Sequence, residues 1–278
     1  MTSQFDNITY EGVMYRKLKI LGRGSFGSVV SMMSEAGSMI AAKIVEAKSE
    51  VDRNAVHSEV VLQKSLKHPN IIGFLEIQTS VLKDSYAILM ECVPTGNTLH
   101  RCAEFLDSDD HQFIFQQLVD AVSFMHSQRI VHSDLKPDNI LMSSRTTPKI
   151  CDFGLSHRFE VDDYGNEVPN VYSGGTRHYE SPKKFYNVES LGTKDDVWAL
   201  GITLFFMLND DFPWREPTEK DKYFDSWVND KSYEPSEFAS MSDEAIDVIL
   251  GTLCPYEKQR MGIEDLKRTD YCSQRFPE

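Results

Sequence analysis

Apolar residues recur in two rhythms along the chain, and the change falls just past residue 90. Before that point, short runs rich in β-branched and aromatic side chains predict strands over 15–21, 28–33, 39–45 and 86–90. One helical stretch interrupts them at 54–66, with Val60, Val61 and Leu62 set among polar neighbours. After Pro94-Thr95-Gly96 helical periodicity dominates, as in 110–126 and 196–208, with turn clusters between. No repeat, low-complexity tract or Pro/Gly/Ser-rich linker divides the chain. The pattern predicts an α+β architecture: a small antiparallel β lobe carrying one major helix, a short hinge, and a larger, mainly helical lobe. Ligand pockets form preferentially at such junctions.

Chemistry-bearing residues cluster where that junction falls. Gly22-Arg23-Gly24-Ser25-Phe26-Gly27 lets the backbone turn tightly and approach phosphates without a Cβ in the way. The same spacing opens dinucleotide folds, where a helix follows. Here Ser28-Val29-Val30 continues as a strand, which suits a hairpin covering phosphates. Lys43 then stands in the apolar run Ala41-Ala42-Lys43-Ile44, where an unpaired ammonium is costly. An edge lysine could snorkel to water. A functional lysine would take phosphate oxygens and a carboxylate partner, and Glu59 on the following helix is the natural candidate.

The segment from Ile130 to Leu141 carries the most information. Apolar ends hold a polar loop that places Asp134, Lys136 and Asn139 close together. A carboxylate can accept or orient the proton of an acceptor hydroxyl. A lysine two residues on can neutralise a transferring phosphoryl group, and an asparagine can ligate a metal. Asp152-Phe153-Gly154 follows, with a carboxylate suited to Mg²⁺.

In this order and spacing, and with Asp196-Val197-Trp198-Ala199-Leu200-Gly201 beyond them, these motifs resemble the eukaryotic protein kinases over nearly the whole length. The resemblance implies a two-lobed kinase fold over 15–272, with lobes at about 15–90 and 98–272 and a hinge at about 91–97. Residues 1–14 would be an N-terminal extension and 273–278 a tail. It implies ATP and Mg²⁺ as cofactors, with Asn139 and Asp152 on metal, Asp134 as base, and Lys43–Glu59 marking the active arrangement. Leu21, Gly22, Gly24, Gly27, Val29, Ala41, Lys43 and Leu141 would enclose the nucleotide, and Glu91 and Val93 would offer backbone groups behind Met90. Lys136 and Thr176 resemble the serine/threonine branch, so proteins would be the substrates. The stretch Phe212-Pro213-Trp214-Arg215-Glu216-Pro217, Trp227 and Tyr233-Glu234-Pro235 is similar to the checkpoint kinase 1 branch, as is the polar Gln63. That branch implies cell-cycle or DNA-damage signalling in the nucleus or cytoplasm.

Three positions depart from the family pattern. Ser133 stands where an arginine usually precedes the catalytic aspartate, Lys183 where a glutamate closes Ala-Pro-Glu, and the acidic residue after the hinge is missing from 95–99. The lost glutamate would leave Arg260 without its partner. Lys183 is therefore expected to turn to solvent, and Arg260 to find another carboxylate, with Glu180 and Glu257 nearest by sequence. A catalytically weak fold used as a scaffold is the alternative to an active enzyme. Cys151, His132, Trp198 and Trp214 read as packing residues.

Composition sharpens only the surroundings. The net charge of −14 disfavours nucleic acid and attracts basic partners. No apolar run is long enough to span a membrane. Five cysteines without a C-x-x-C pair fit a reducing, intracellular compartment.

Overall fold

A computed structural model describes residues 5–24, 27–80, 84–94 and 96–274. Ser25 and Phe26 of the glycine turn, Thr95 of the hinge, and the ends at 1–4 and 275–278 lie outside the described residues. The N-terminal strands are β1 Asn7–Tyr10, β2 Val13–Gly24, β3 Gly27–Ser34, β4 Met39–Glu46, β5 Phe74–Ser80 and β6 Ser85–Glu91. They form one antiparallel sheet in the order β1-β2-β3-β4-β6-β5. Alternation along the strands sorts their side chains to two faces. Val30, Met32, Ile40, Ala42, Ala87 and Leu89 pack with Phe5 and Ile8 on one face. Val45, Tyr86 and Ile88 meet the helix on the other.

Two of these strands were not predicted. β1 places only Ile8 fully in the core, and β5 is half-buried along most of its length, so neither shows a clean alternation. Pairing decides both. The stretch before residue 15 is woven into the sheet, since β1 pairs with β2 and Gln78 Nε2 of β5 donates to Thr9 O at 2.6 Å. The two outermost strands thus meet, and the sheet curls on itself.

Helix α1, Glu50–Ser65, begins a turn earlier than its apolar pattern suggested. The reason is a capping box: Ser49 Oγ accepts from Asp52 N–H and Asp52 accepts from Ser49 N–H, each at 3.0 Å. Val56 and Val60 face the sheet, Glu59 and Gln63 are buried with them, and Val61 is exposed.

The second lobe begins with α2 Leu99–Cys102 and α3 Ser108–Ser127. It continues through α4 Pro182–Phe185, α5 Gly192–Asn209, α6 Lys222–Asn229, α7 Asp243–Thr252, α8 Ile263–Lys267 and α9 Asp270–Ser273. Helix α5 is buried on nearly every side and forms the axis of this lobe. Gly201 lets α7 come close, since a Cβ there would overlap Thr252 Oγ1. Trp198 and Trp214 are buried in this core, as expected of packing residues. Two small two-stranded sheets belong to this lobe: β7 Ile130–Val131 paired with β10 His157–Arg158, and the hairpin of β8 Ile140–Met142 with β9 Pro148–Ile150. Between them hangs the polar loop.

Candidate active site

The two lobes enclose a cleft of about 650 Å³. Its roof is the β2–β3 hairpin, in register Gly22↔Val29 and Gly24↔Gly27, so a strand and not a helix follows the glycines. Gly27 holds φ +139°, and a Cβ there would collide with the Ile44 carbonyl, so no other residue fits. Leu21, Val29 and Ala41 line the cleft from above and Leu141 lines it from below. Met90, Glu91 and Val93 form its back edge.

The hinge has one backbone group to offer at each of Glu91 and Val93. Glu91 N–H already donates to Gly73 O at 2.8 Å, and its carboxylate pairs with Lys149 Nζ at 2.9 Å. Its carbonyl is the group left to face a ligand. Val93 uses its carbonyl on Gly96 N–H at 3.0 Å, which leaves its own N–H.

Lys43 sits in β4 opposite Val29, and its ammonium is 2.6 Å from Glu59 Oε1 and 2.8 Å from Asp152 Oδ1. It does not snorkel. Burial pulls this ammonium down, but the two carboxylates outweigh it and hold it above the ordinary lysine range. Burial likewise pushes Asp152 up, while Lys43 holds it below the ordinary carboxylate range. Both charges therefore persist at neutral pH, side by side in the cleft.

Four polar groups converge beneath them. Lys136 Nζ lies 2.8 Å from Asp134 Oδ2 and 2.6 Å from Thr176 Oγ1. Thr176 Oγ1 donates to Asp134 Oδ1 at 2.9 Å, and Asn139 Nδ2 donates to Asp134 Oδ2 at 3.0 Å. Asp134 is thereby fixed on both oxygens. The loop's shape comes from deeper in the lobe. Buried Asp196 of α5 accepts from His132 N–H at 2.8 Å, Ser133 N–H at 2.9 Å and His126 Nε2 at 3.0 Å. Burial pushes the Asp196 carboxyl up, but these donors and the histidines hold it below its usual range. His132 is fully buried, reaches Cys151 O at 3.1 Å and meets Phe153 edge-on, so it packs as expected. Cys151 borders the cleft, but burial pushes its thiol up to about 12, which makes it inert.

Asn139 and Asp152 face the same cleft. Among the described residues no three His, Cys, Asp or Glu side chains form a metal cage. A carboxylate and a carboxamide instead suit a hard cation shared with phosphate oxygens. Asp152 keeps 43% of its side chain exposed, and Asn139 spends its Nδ2 on Asp134, so Oδ1 is the atom it can offer. The donor set fits Mg²⁺.

Every residue that the sequence assigned to nucleotide, metal or phosphoryl transfer thus borders one cleft. Sequence reading assigned no role to Asp196, nor to Asp195 and Lys184. The available signal was charge: two aspartates open an otherwise apolar helix, and buried carboxylates need partners.

The family comparison agrees with the fold and the cleft. A model of the protein kinase domain matches residues 15–272, and the chain belongs to that family: it is a protein kinase, of a family that uses ATP and Mg²⁺ in general. The chain is 31% identical over 97% of its length to a serine/threonine-protein kinase, SAPK9, of Oryza sativa subsp. japonica, covering 74% of that protein. It is 29% identical to serine/threonine-protein kinase SRK2E of Arabidopsis thaliana, over 97% of this chain and 74% of that one. With SRK2D of the same plant it shares 34% over 78% of this chain and 59% of the relative. Its relatives place it on the serine/threonine side of the family. Among the described residues no helix is long and apolar enough to cross a membrane.

Proposed function

We propose that the cleft transfers the γ-phosphoryl group of ATP to a serine or threonine hydroxyl of a protein, with Asp134 as the group that orients and accepts the hydroxyl proton. The observation that carries this is the Asp134–Lys136–Thr176–Asn139 cluster, beside the Lys43–Glu59–Asp152 triad. Catalysis of this reaction is positioning and charge neutralisation, and these residues supply both. Lys43 holds phosphate oxygens, Lys136 meets the charge that builds on the transferring group, and the glycine hairpin shuts out water. Mg²⁺ bound by Asp152 and Asn139 would neutralise phosphate charge and orient the oxygens. Val29, Ala41 and Leu141 sandwich the adenine, with Leu21 at its rim, while Glu91 O and Val93 N–H hydrogen-bond its edge.

The finer placement, on the checkpoint kinase 1 branch with cell-cycle or DNA-damage signalling in nucleus or cytoplasm, rests on the stretch 212–235 and Gln63. Gln63 is buried on the cleft wall, where its amide donates to Ile72 O at 3.3 Å. The acidic surface fits basic protein partners and repels nucleic acid and anionic membranes.

The test is Mg²⁺-dependent transfer from labelled ATP to a peptide library, run beside Asp134→Asn. Wild type should exceed the variant by about 10²–10⁴-fold. Equal rates would replace the enzyme with a scaffold.

A further inference from the structure

Lys184 follows Lys183 at the end of the segment that runs from Asp152 to the start of the large lobe's helices. It is only 6% exposed, although a lysine at this depth needs a reason. Its ammonium reaches back to donate to the carbonyl oxygen of Ser133, 51 residues earlier. Ser133 holds φ +67°, a left-handed conformation that a non-glycine residue keeps only when its surroundings over-determine it. Two charged side chains do so here. Asp196 Oδ1 takes its N–H at 2.9 Å, and Lys184 takes its carbonyl. Asp134 is the next residue, so the two peptide units that flank Ser133, together with the donors on the Asp134 oxygens, set where its carboxylate points.

Beside Lys184 lies a space of about 10 Å³, room for about one water, bordered by the charged Asp134, Glu180, Asp195 and Asp196 and by the apolar Leu135 and Ala199. Glu180 and Asp195 both feel the Lys184 charge. Gly175 leaves space for the amine, since a Cβ there would stand 3.3 Å from Nζ. Removing the amine alone would leave Glu180, Asp195 and the Ser133 carbonyl without their cation, so Lys184 belongs to a buried charged cluster that also grips the catalytic loop. Ser133 brings no cation of its own to the loop.

We propose that Lys184 is a positioning residue for phosphoryl transfer: a buried cation, carried by the end of the activation segment, that holds the Ser133 peptide and through it Asp134. The segment's own sequence thus couples its fold to the catalytic loop, without an added phosphate. This rests on the role given to Asp134 above.

The experiment compares full-length wild type, Lys184→Met and Lys184→Arg. Methionine fills the space without a donor. It should lower kcat at least about tenfold, because small misplacements at a reacting centre are that costly. ADP affinity by calorimetry should stay within about twofold, since nothing in the nucleotide cleft is touched. The melting temperature should fall, because one side of a buried charged cluster is lost, and amide exchange at residues 131–135 should quicken. Arginine keeps a cation and should recover at least about a third of the rate, as a tether acting through charge requires. A wild-type kcat in Lys184→Met, with a lowered melting temperature, would make Lys184 a structural strut and overturn the proposal. So would an equal loss of ADP affinity, which means general loosening. Should the methionine variant not fold, Lys184→Arg decides: a folded arginine variant that loses the rate sinks the tether. A wild type no faster than Asp134→Asn sinks the enzyme reading as well, so the two failures are distinguishable.

Discussion

The ammonium of Lys183 lies 2.6 Å from Glu257 Oε2, and this pair replaces the one that the family's glutamate would make with Arg260. Lys183 does not turn to solvent. It keeps 41% of its side chain exposed while its head meets a buried carboxylate, whose other oxygen accepts from Leu191 N–H at 2.9 Å. Arg260 is served elsewhere. It donates to Cys254 O at 3.0 Å and Lys194 O at 3.1 Å, stacks over Trp198, and faces Asp195 at 4.0 Å. Asp195 is buried, and its oxygens accept from Ser181 Oγ at 2.5 Å and Ser190 Oγ at 2.6 Å. The carboxylate within ion-pair distance of Arg260 is thus Asp195 of α5, and the Glu257 charge supports it as well.

This exchange reverses the effect expected of restoring the family residue. Lys183→Glu would remove the cation that pairs with buried Glu257 and set a second carboxylate against it, leaving only the more distant charges of Arg260 and Lys194. Breaking a buried pair on one side costs about 3–5 kcal/mol, and the half-exposed lysine puts this case near the lower end. The melting temperature should fall, and amide exchange at residues 175–185 should quicken. The swap Lys183→Glu/Glu257→Lys should recover part of the loss. A more stable single variant would contradict the exchange.

Phosphorylation should not be needed for activity. The segment offers Ser156, Tyr164, Tyr172, Ser173 and Thr176 as acceptor hydroxyls, and of these Tyr172 is buried and stacked on His157 at 4.0 Å. Ser156 Oγ donates to His132 O at 3.2 Å, and Thr176 is spent on Asp134. Glu167 already places a carboxylate at the start of α5, where Thr193 Oγ1 donates to it at 2.5 Å. Only Tyr164 and Ser173 stand exposed. Phosphatase-treated enzyme, Tyr164→Phe and Ser173→Ala should each keep the rate to within about twofold, because phosphate acts by ordering a segment that is already tied down. A large loss on treatment, restored by rephosphorylation, would refute this.

Lys43→Met should leave the fold intact and remove most transfer, at least about 10²-fold. The variant leaves Glu59 and Asp152 facing each other without a cation, so nucleotide affinity should fall with kcat. Calorimetry with ADP and Mg²⁺, beside a steady-state assay, reads both. Full activity in this variant would remove Lys43 from the site.

Acid should weaken the fold early. Burial lowers the pKa of His68, His111 and His157. Each then binds its proton more readily in the unfolded chain. Their contribution is complete above the unfolded value of about 6.5 and is lost as pH falls from there through the folded values. Melting temperatures measured from pH 7.5 to pH 5.5 should decline, and His157→Phe and His111→Gln should each flatten the slope. A curve unchanged by either variant would show that those histidines are solvated.

Local pattern determined much of this protein. Apolar alternation placed four strands of the first lobe, and helical periodicity placed α1, α3 and α5 to within about a turn. The glycine spacing, Lys43, Asp134, Lys136, Asn139 and Asp152 were legible because phosphate and metal chemistry demands those residue types close together in the chain or at known offsets. What tertiary structure decided is partnership. β1 and β5 became strands only through pairing, and the sheet closes through Gln78 and Thr9, distant in sequence. Lys183 found Glu257, Arg260 faced Asp195, and Lys184 reached Ser133, each across a gap that no local pattern spans. A buried charge must be met by whatever opposite charge or dipole the fold brings within reach. Sequence shows that such a charge exists, and only the packed chain shows which group meets it.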